Sequence, residues 1–273
     1  MQEDMMIKAI VAGAGGRMGG RIITMINDAQ GITLGGAFEH PDSPAVGKDA
    51  GEVAGVGPLG VEVASNLSDV MDRGDVIIDF TFHEATVKHA ELAAESGKPM
   101  VIGTTGFSAE ELETIKGLAH KFPCVQAPNM SVGVNLLYKL VDMAARVLGD
   151  DYDIEIVEAH HRMKKDAPSG TALQLGRVAA SALGRDLDKV GVFERNGLIG
   201  ERSKQEIGIQ TVRAGDIVGE HTVLFGGIGE RIEIVHKASS RDTFAKGAVR
   251  AAKWIVAKDA GFYDMQDVLG LKD

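Results

Sequence analysis

The sequence predicts an α/β protein in two parts. The first is a Rossmann-like dinucleotide-binding domain on a doubly wound parallel sheet, and the second is an α+β domain with an open mixed sheet. Three observations carry this. A short apolar run, Met6 to Ala12, leads straight into the glycine cluster Gly13-Ala-Gly-Gly-Arg-Met-Gly19, after which Met18, Ile22, Met25 and Ile26 recur at helical spacing. Strand-type runs and helical patterns then alternate as far as Asn129, which implies parallel strands joined by helices. After Val132 the pattern changes to segments of period 2, with short links such as Gly226-Gly-Ile-Gly229 that suit antiparallel hairpins.

Composition narrows the class. At 273 residues, with 44% hydrophobic and 25% charged residues, the chain has room for two ordinary domains and ample core. Its 29 basic and 39 acidic residues leave a net charge of -10, which argues against general attraction to nucleic acid or an anionic membrane. Cys124 stands alone, so no internal disulfide is possible; a reducing compartment and a role as a buried small hydrophobe are expected. The acidic start Met1-Gln-Glu-Asp leads directly into a strand, against a signal peptide, and no run of about 18 apolar residues would span a bilayer. The expected location is the cytoplasm.

Taken in order, the first strand ends at a turn that needs glycine, because backbone must bend tightly and approach a pyrophosphate with no Cβ in the way. The spacing is G-x-x-G-x-x-G on Gly13, Gly16 and Gly19; in the commoner G-x-G-x-x-G the third glycine would fall on Met18. A second strand, Ile32 to Phe38, closes on Glu39-His40, and an acidic residue there is suited to an adenosine ribose. His40 and Arg17 are the cations nearest in sequence for a 2′-phosphate. Pro41 to Gly60 has no sustained period and reads as a long loop. Asp75 to Phe80 is a buried-type strand, followed by a helix from His83 to about Ser96 with His83, Glu84 and His89 on its solvated face. Pro99 to Thr105 gives a strand ending in Gly-Thr-Thr, Ser108 caps a helix to about Lys121, and Cys124 to Asn129 gives one more strand. Ligands of such sheets bind beyond the carboxyl ends of the strands. Those ends supply the candidate dinucleotide contacts: Gly13, Ala14, Gly15, Gly16, Arg17 and Met18; Glu39 and His40; Gly103, Thr104 and Thr105; Ala127, Pro128, Asn129 and Met130.

A long helix, Val132 to Leu148, opens the second part. A period-2 strand from Tyr152 to Glu158 then delivers the densest chemistry in the chain, Glu158-Ala-His-His-Arg-Met-Lys-Lys-Asp-Ala-Pro-Ser-Gly-Thr171. Histidine exchanges protons near neutral pH, and a lysine beside other cations loses its proton more readily. The Pro-Ser-Gly-Thr turn reads as the start of a helix, whose exposed N–H groups and positive dipole end suit a carboxylate or phosphate. A solvated basic loop is the reading that any one of these side chains deserves by itself, and it is the one given to Lys165. The whole cluster joined to an anion-binding turn points to a site. Gly184 to Lys204 is charged and turn-rich, and strands follow at Ile207–Arg213, His221–Phe225 and Arg231–His236. A sheet with one open face in such a chain commonly packs on a copy of itself. A last helix opens at Asp242 and is expected to return to the first domain. The domains are therefore expected at 1–130 with 241–273, and at 131–240.

These motifs together resemble the 4-hydroxy-tetrahydrodipicolinate reductase (dihydrodipicolinate reductase) family over nearly the whole chain. The glycine turn is generic. Specific are Glu158-Ala-His-His-Arg162 with Lys164 and Pro168-Ser-Gly-Thr171 in register, with Gly103-Thr-Thr-Gly106, Asn129-Met-Ser-Val-Gly-Val134 and Thr211-Val-Arg-Ala-Gly-Asp-Ile-Val-Gly-Glu-His221 in support. The resemblance implies reduction of a cyclic unsaturated dicarboxylate by NADH or NADPH, with loss of its hydroxyl as water, in lysine and diaminopimelate biosynthesis. It implies His160 as proton donor and acceptor, Lys164 as proton donor, and His161, Ser169, Gly170 and Thr171 on the substrate carboxylate. It implies no metal, and a homotetramer assembled through the sheet of the second, substrate-binding domain. One departure bears on the cofactor: family members preferring the phosphorylated nucleotide often carry arginine where this chain has His40. A neutral histidine supplies no constant charge, so NADH is expected to serve at least as well as NADPH. Another nicotinamide dehydrogenase would not need Lys164 in register with Pro-Ser-Gly-Thr, and a non-catalytic dinucleotide sensor would not need His160 with Lys164.

Overall fold

The structure is a computed structural model, and it describes residues 6–272; the acidic start read above as no signal peptide lies outside them. The chain forms two compact units, one running through Val132 and resuming at Asp242, the other Gly133–Arg241.

In chain order the first unit contains β1 (Ile7–Ala12), α1 (Arg17–Asp28), β2 (Ile32–Phe38), α2 (Ala50–Ala54), β3 (Val63–Ala64), β4 (Val76–Asp79), α3 (His83–Ser96), β5 (Met100–Ile102), α4 (Ala109–Leu118) and β6 (Pro123–Gln126). The second follows with α5 (Val132–Leu148), β7 (Asp153–His160), α6 (Gly170–Ala182), α7 (Leu187–Val190), β8 (Gly191–Val192), β9 (Ile207–Arg213), β10 (Gly219–Gly226) and β11 (Arg231–Ala238). The chain then rejoins the first unit with α8 (Asp242–Ile255), β12 (Gly261–Tyr263) and α9 (Met265–Leu269).

The first sheet has the order β12-β6-β5-β4-β1-β2-β3, and every pairing is parallel. Its strands read as continuous apolar runs because both faces are covered. Alternate residues of β1 divide between two cores: Ala9 and Val11 lie with Ile22, Ile26, Ala248 and Ala252 of α1 and α8, whereas Ile10 and Ala12 lie with Ala90 and Ala93 of α3 and Ile115 of α4. Cys124 is fully buried in the second of these cores, and burial pushes its thiol up, so it is an inert small hydrophobe.

The second sheet is mixed, in the order β11-β10-β7-β9-β8. Its core is one face of the sheet, Ile154, Ile156, Ile207, Ile209, Val223 and Phe225, against Leu137 and Val141 of α5 and Leu175 and Ala179 of α6. Val157, Val212 and Val235 project from the other face and remain 41%, 43% and 48% exposed.

Several sequence expectations need correction. Pro41 to Gly60 is not irregular throughout: Asp49 caps α2 by accepting from the Gly51 and Glu52 N–H groups, and also from Leu59 and Gly60. The strands after Gly184 are not successive hairpins. Only β10 and β11 make one; β9 pairs in parallel with β7, which separates it from β10. His83 and His89 are half-buried and paired rather than freely solvated: His83 Nδ1 lies 2.7 Å from Glu111, and His89 Nδ1 lies 2.6 Å from buried Asp79; Glu84 is exposed. The terminal pair β12 and α9 was not anticipated.

Candidate active site

Two groups of residues form, one in each unit. In the first, the glycine turn leaves β1 in the left-handed region at Gly13 (φ 68°). The Gly13 and Ala14 N–H groups donate to the Phe38 carbonyl at 2.9 and 3.2 Å, and Gly16 N–H donates to the Gly13 carbonyl at 2.9 Å. A Cβ on Gly19 would stand 2.0 Å from the Gly13 carbonyl oxygen, so the third glycine is what lets α1 start this close to the turn. No side chain caps α1 and no acidic residue occupies its first turn. Its N–H groups and dipole are thus arranged as an anion-binding terminus of the sort that holds a pyrophosphate.

Glu39 follows β2 directly, and its carboxylate accepts from Gly15 N–H at 3.1 Å and His40 N–H at 2.8 Å. The His40 side chain is 74% exposed, with Nδ1 3.7 Å from the Asp42 carboxylate. Arg17 is exposed, and Met18 packs on the core. At the end of β5, Gly103 lies against Phe80 so closely that a Cβ would meet its ring at 2.1 Å; Thr104 is buried and Thr105 exposed. After β6, Ala127 and Met130 are buried, Pro128 is exposed, and Asn129 accepts from Ser131 N–H at 2.9 Å. Because β1, β5 and β6 run parallel in one sheet, these three turns share its carboxyl edge.

The second group is built around Glu158, which is fully buried in β7. Residues two apart on a strand share a face, so Glu158 and His160 point the same way, and His160 Nδ1 lies 2.5 Å from the Glu158 carboxylate. Arg213, at the end of the neighbouring β9, holds both carboxylate oxygens at 2.8 Å. Ser169 N–H adds a bond at 2.9 Å and the Thr211 hydroxyl one at 3.3 Å. Burial pushes the Glu158 carboxyl up, but Arg213, His160 and the Ser169 N–H outweigh it and hold it down at about 2. Glu158 is therefore ionised and can only accept. The hydrogen of neutral His160 must sit on Nδ1, which leaves Nε2 as the nitrogen with a free lone pair. Burial, helped by Lys164 and Arg213, lowers His160 below the usual imidazole range against the opposing pull of Glu158.

Ser169 caps α6 by accepting from Ala172 N–H, and its hydroxyl also lies 3.2 Å from His221 Nε2. His221 faces Glu158 from β10 and is buried, which pushes it down to about 4 and keeps it neutral. Gly170 is exposed with open space where a Cβ would go, and Thr171 bonds with Tyr138. The first turn of α6 has no acidic residue. Lys164 is half-buried, its ammonium 2.9 Å from Asp166. His161 Nδ1 is buried without a partner among the described residues. Lys165 is exposed. His160, Lys164, Ser169 and Gly170 thus share one end of the second unit. Arg213 and His221 were not anticipated as members of the group, and Glu158 stood in the same stretch as His160 with no role assigned to it. No cluster able to hold a metal ion occurs among the described residues.

A Rossmann-type unit joined to a unit bearing an oriented histidine, a lysine and an open helix N-terminus defines a dinucleotide-dependent oxidoreductase. The family description "Dihydrodipicolinate reductase, N-terminus" matches residues 7–130, and "Dihydrodipicolinate reductase, C-terminus" matches residues 133–269. The 4-hydroxy-tetrahydrodipicolinate reductase of Syntrophus aciditrophicus (strain SB) is 60% identical over 267 residues, 98% of this chain and 100% of that one. The enzyme of the same name from Desulfotalea psychrophila is 59% identical over 268 residues, with the same coverage. A dipicolinate-bound dihydrodipicolinate reductase from Paenisporosarcina sp. TG-14 superposes with a TM-score of 0.77 at 26% identity, covering 96% of this chain and 99% of that one. The chain belongs to the 4-hydroxy-tetrahydrodipicolinate reductase family.

Proposed function

We propose that the chain reduces 4-hydroxy-tetrahydrodipicolinate to tetrahydrodipicolinate, with loss of the ring hydroxyl as water, using His160 and Lys164 as its proton carriers. Reductase activity and the place in lysine biosynthesis follow from the family; the assignment to residues is ours. One observation carries it: ionised Glu158 fixes the His160 tautomer and also bonds Ser169 N–H at the head of α6. A proton carrier and a carboxylate-binding terminus are thereby set by one buried group.

A bound reduced nicotinamide supplies a hydride. Hydride arriving at a conjugated imine leaves negative charge on the ring, and that charge needs a proton. Lys164, held by Asp166, is the acid for this step. In the preceding loss of water, which makes the conjugated imine, His160 Nε2 takes a proton from the ring carbon beside the hydroxyl-bearing one and returns it to the leaving hydroxyl. The two substrate carboxylates are met by His161, the Ser169–Gly170–Thr171 turn and the dipole of α6. On the nucleotide side, Gly13 to Met18 cradle the pyrophosphate. Glu39 accepts from the ribose, and Gly103–Thr105 with Ala127–Met130 bound the nicotinamide half. Asp42 beside exposed His40 disfavours a 2′-phosphate, which supports use of NADH at least as readily as NADPH. We also propose a cytoplasmic homotetramer built through the uncovered face of the second sheet.

The test is a coupled assay. Pyruvate, aspartate semialdehyde and the upstream synthase generate the substrate while nicotinamide absorbance is followed. Consumption with both nucleotides is expected, at least as fast with NADH. No consumption with either, or activity on an amino acid instead, contradicts the proposal.

A further inference from the structure

Among the described residues, the proposed roles leave one fully buried carboxylate without a function. Asp79 closes β4 in the middle of the parallel sheet. Its Oδ1 accepts from the N–H and hydroxyl of Thr81 at 2.9 and 2.6 Å, from the Thr86 hydroxyl at 3.1 Å and from the Thr104 hydroxyl at 3.2 Å. Its Oδ2 lies 2.6 Å from His89 Nδ1, on α3. Burying a charge is costly unless it is paired and fully hydrogen-bonded. Here burial pushes Asp79 up, yet the bond and charge of His89 and the two Thr81 donors prevail and hold it below the usual carboxylate range.

The partners lead to the nucleotide turns. A Cβ on Gly13 would stand 2.9 Å from Thr81 Cγ2, so Thr81 backs the glycine turn. Thr104 is the middle residue of Gly103–Thr105, and its hydroxyl oxygen lies 2.9 Å from that of Thr86. Phe80, between Asp79 and Thr81, closes over Gly103. The His89 ring stands edge-on to Phe38, with centroids 5.0 Å apart. Phe38 precedes Glu39, and its carbonyl receives the Gly13 and Ala14 N–H groups. The Asp79–His89 pair therefore reaches the ends of β2, β4 and β5 directly and that of β1 through Thr81.

We propose that Asp79 and His89 are a positioning pair for dinucleotide binding, acting through Thr81, Thr104 and Phe38 to hold three turns of the site in register. The proposal rests on the reading that this unit binds the reduced nicotinamide dinucleotide, and NADH titration of the wild-type protein tests that reading first. Absence of NADH binding there would overturn both.

Given wild-type binding, His89→Leu is expected to weaken NADH binding by about tenfold, the loss of one hydrogen bond to a charged group. Turnover at saturating NADH and the KM for the dicarboxylate should change little. His89→Asn, which retains an N–H donor near the position of Nδ1, should recover most of the loss. Thr86→Val, close in shape and lacking only the hydroxyl, should weaken NADH binding in the same direction. A pair that only stabilised the fold would lower the melting temperature of His89→Leu and leave the NADH Kd unchanged; that result overturns the proposal. Should His89→Leu not fold, Thr86→Val decides, and an unchanged NADH Kd in that folded variant is equally contrary.

Discussion

At the scale of single residues, the proposed chemistry turns on which ring nitrogen of His160 carries no hydrogen. Glu158 settles it by accepting at Nδ1, and its own charge is kept by Arg213. The residue types and their spacing marked His160, Lys164 and the Ser-Gly-Thr turn as candidates, and the structure brings Glu158 of the same stretch against His160 and Ser169. Arg213 was not legible as a partner, because it lies 55 residues away on a strand whose pairing with β7 no local pattern announces. Glu158 raises the His160 pKa, whereas burial, Lys164 and Arg213 lower it. Removing the anion should therefore lower it further. In Glu158→Gln, the limb of the pH–rate profile that reports loss of the His160 proton should move to lower pH. Profiles of kcat/KM on the folded variant measure this, and an unmoved limb would show that Glu158 does not set the titration of His160.

At the scale of elements, boundaries that depend on local chemistry were read closely. A glycine closes α3 and follows α5, while Ser108 and Ser169 cap α4 and α6. Elements that depend on distant partners were not. The helix α2 is held by Asp49, whose carboxylate reaches forward to Leu59 and Gly60, and five residues are too few to show a period. The placement of β9 beside β7 likewise follows from the shared core of Ile154, Ile156, Ile207 and Ile209. The start of α6 is where structure and proposed chemistry coincide. Ser169→Ala removes the cap on Ala172 N–H and the partner of His221, and should destabilise the fold by about 1–2 kcal/mol. It should also raise the KM for the dicarboxylate by loosening the turn. Thermal denaturation and steady-state kinetics check this; unchanged stability and KM would mean that the cap is not what holds the turn.

At the scale of the whole molecule, the division into a parallel α/β unit and a mixed-sheet unit was legible from the change of hydrophobic period, as was the uncovered face of the second sheet. That face carries Val157, Val212 and Val235, side chains that water solvates poorly and that a second copy would cover. If the proposed tetramer forms there, placing aspartate at both Val157 and Val235 should yield smaller species in sedimentation velocity, with each subunit still folded. An unaltered sedimentation coefficient would put the interface elsewhere.

The measurement closest to the central claim is turnover of Lys164→Ala and His160→Ala in the coupled assay, with NADH binding followed by fluorescence on the same preparations. Removal of one positioned proton carrier typically costs about a hundredfold to ten-thousandfold in rate. Losses of that order in both variants, with NADH affinity close to wild type, are expected. Near-normal turnover in both would contradict the assignment of the chemistry to this site.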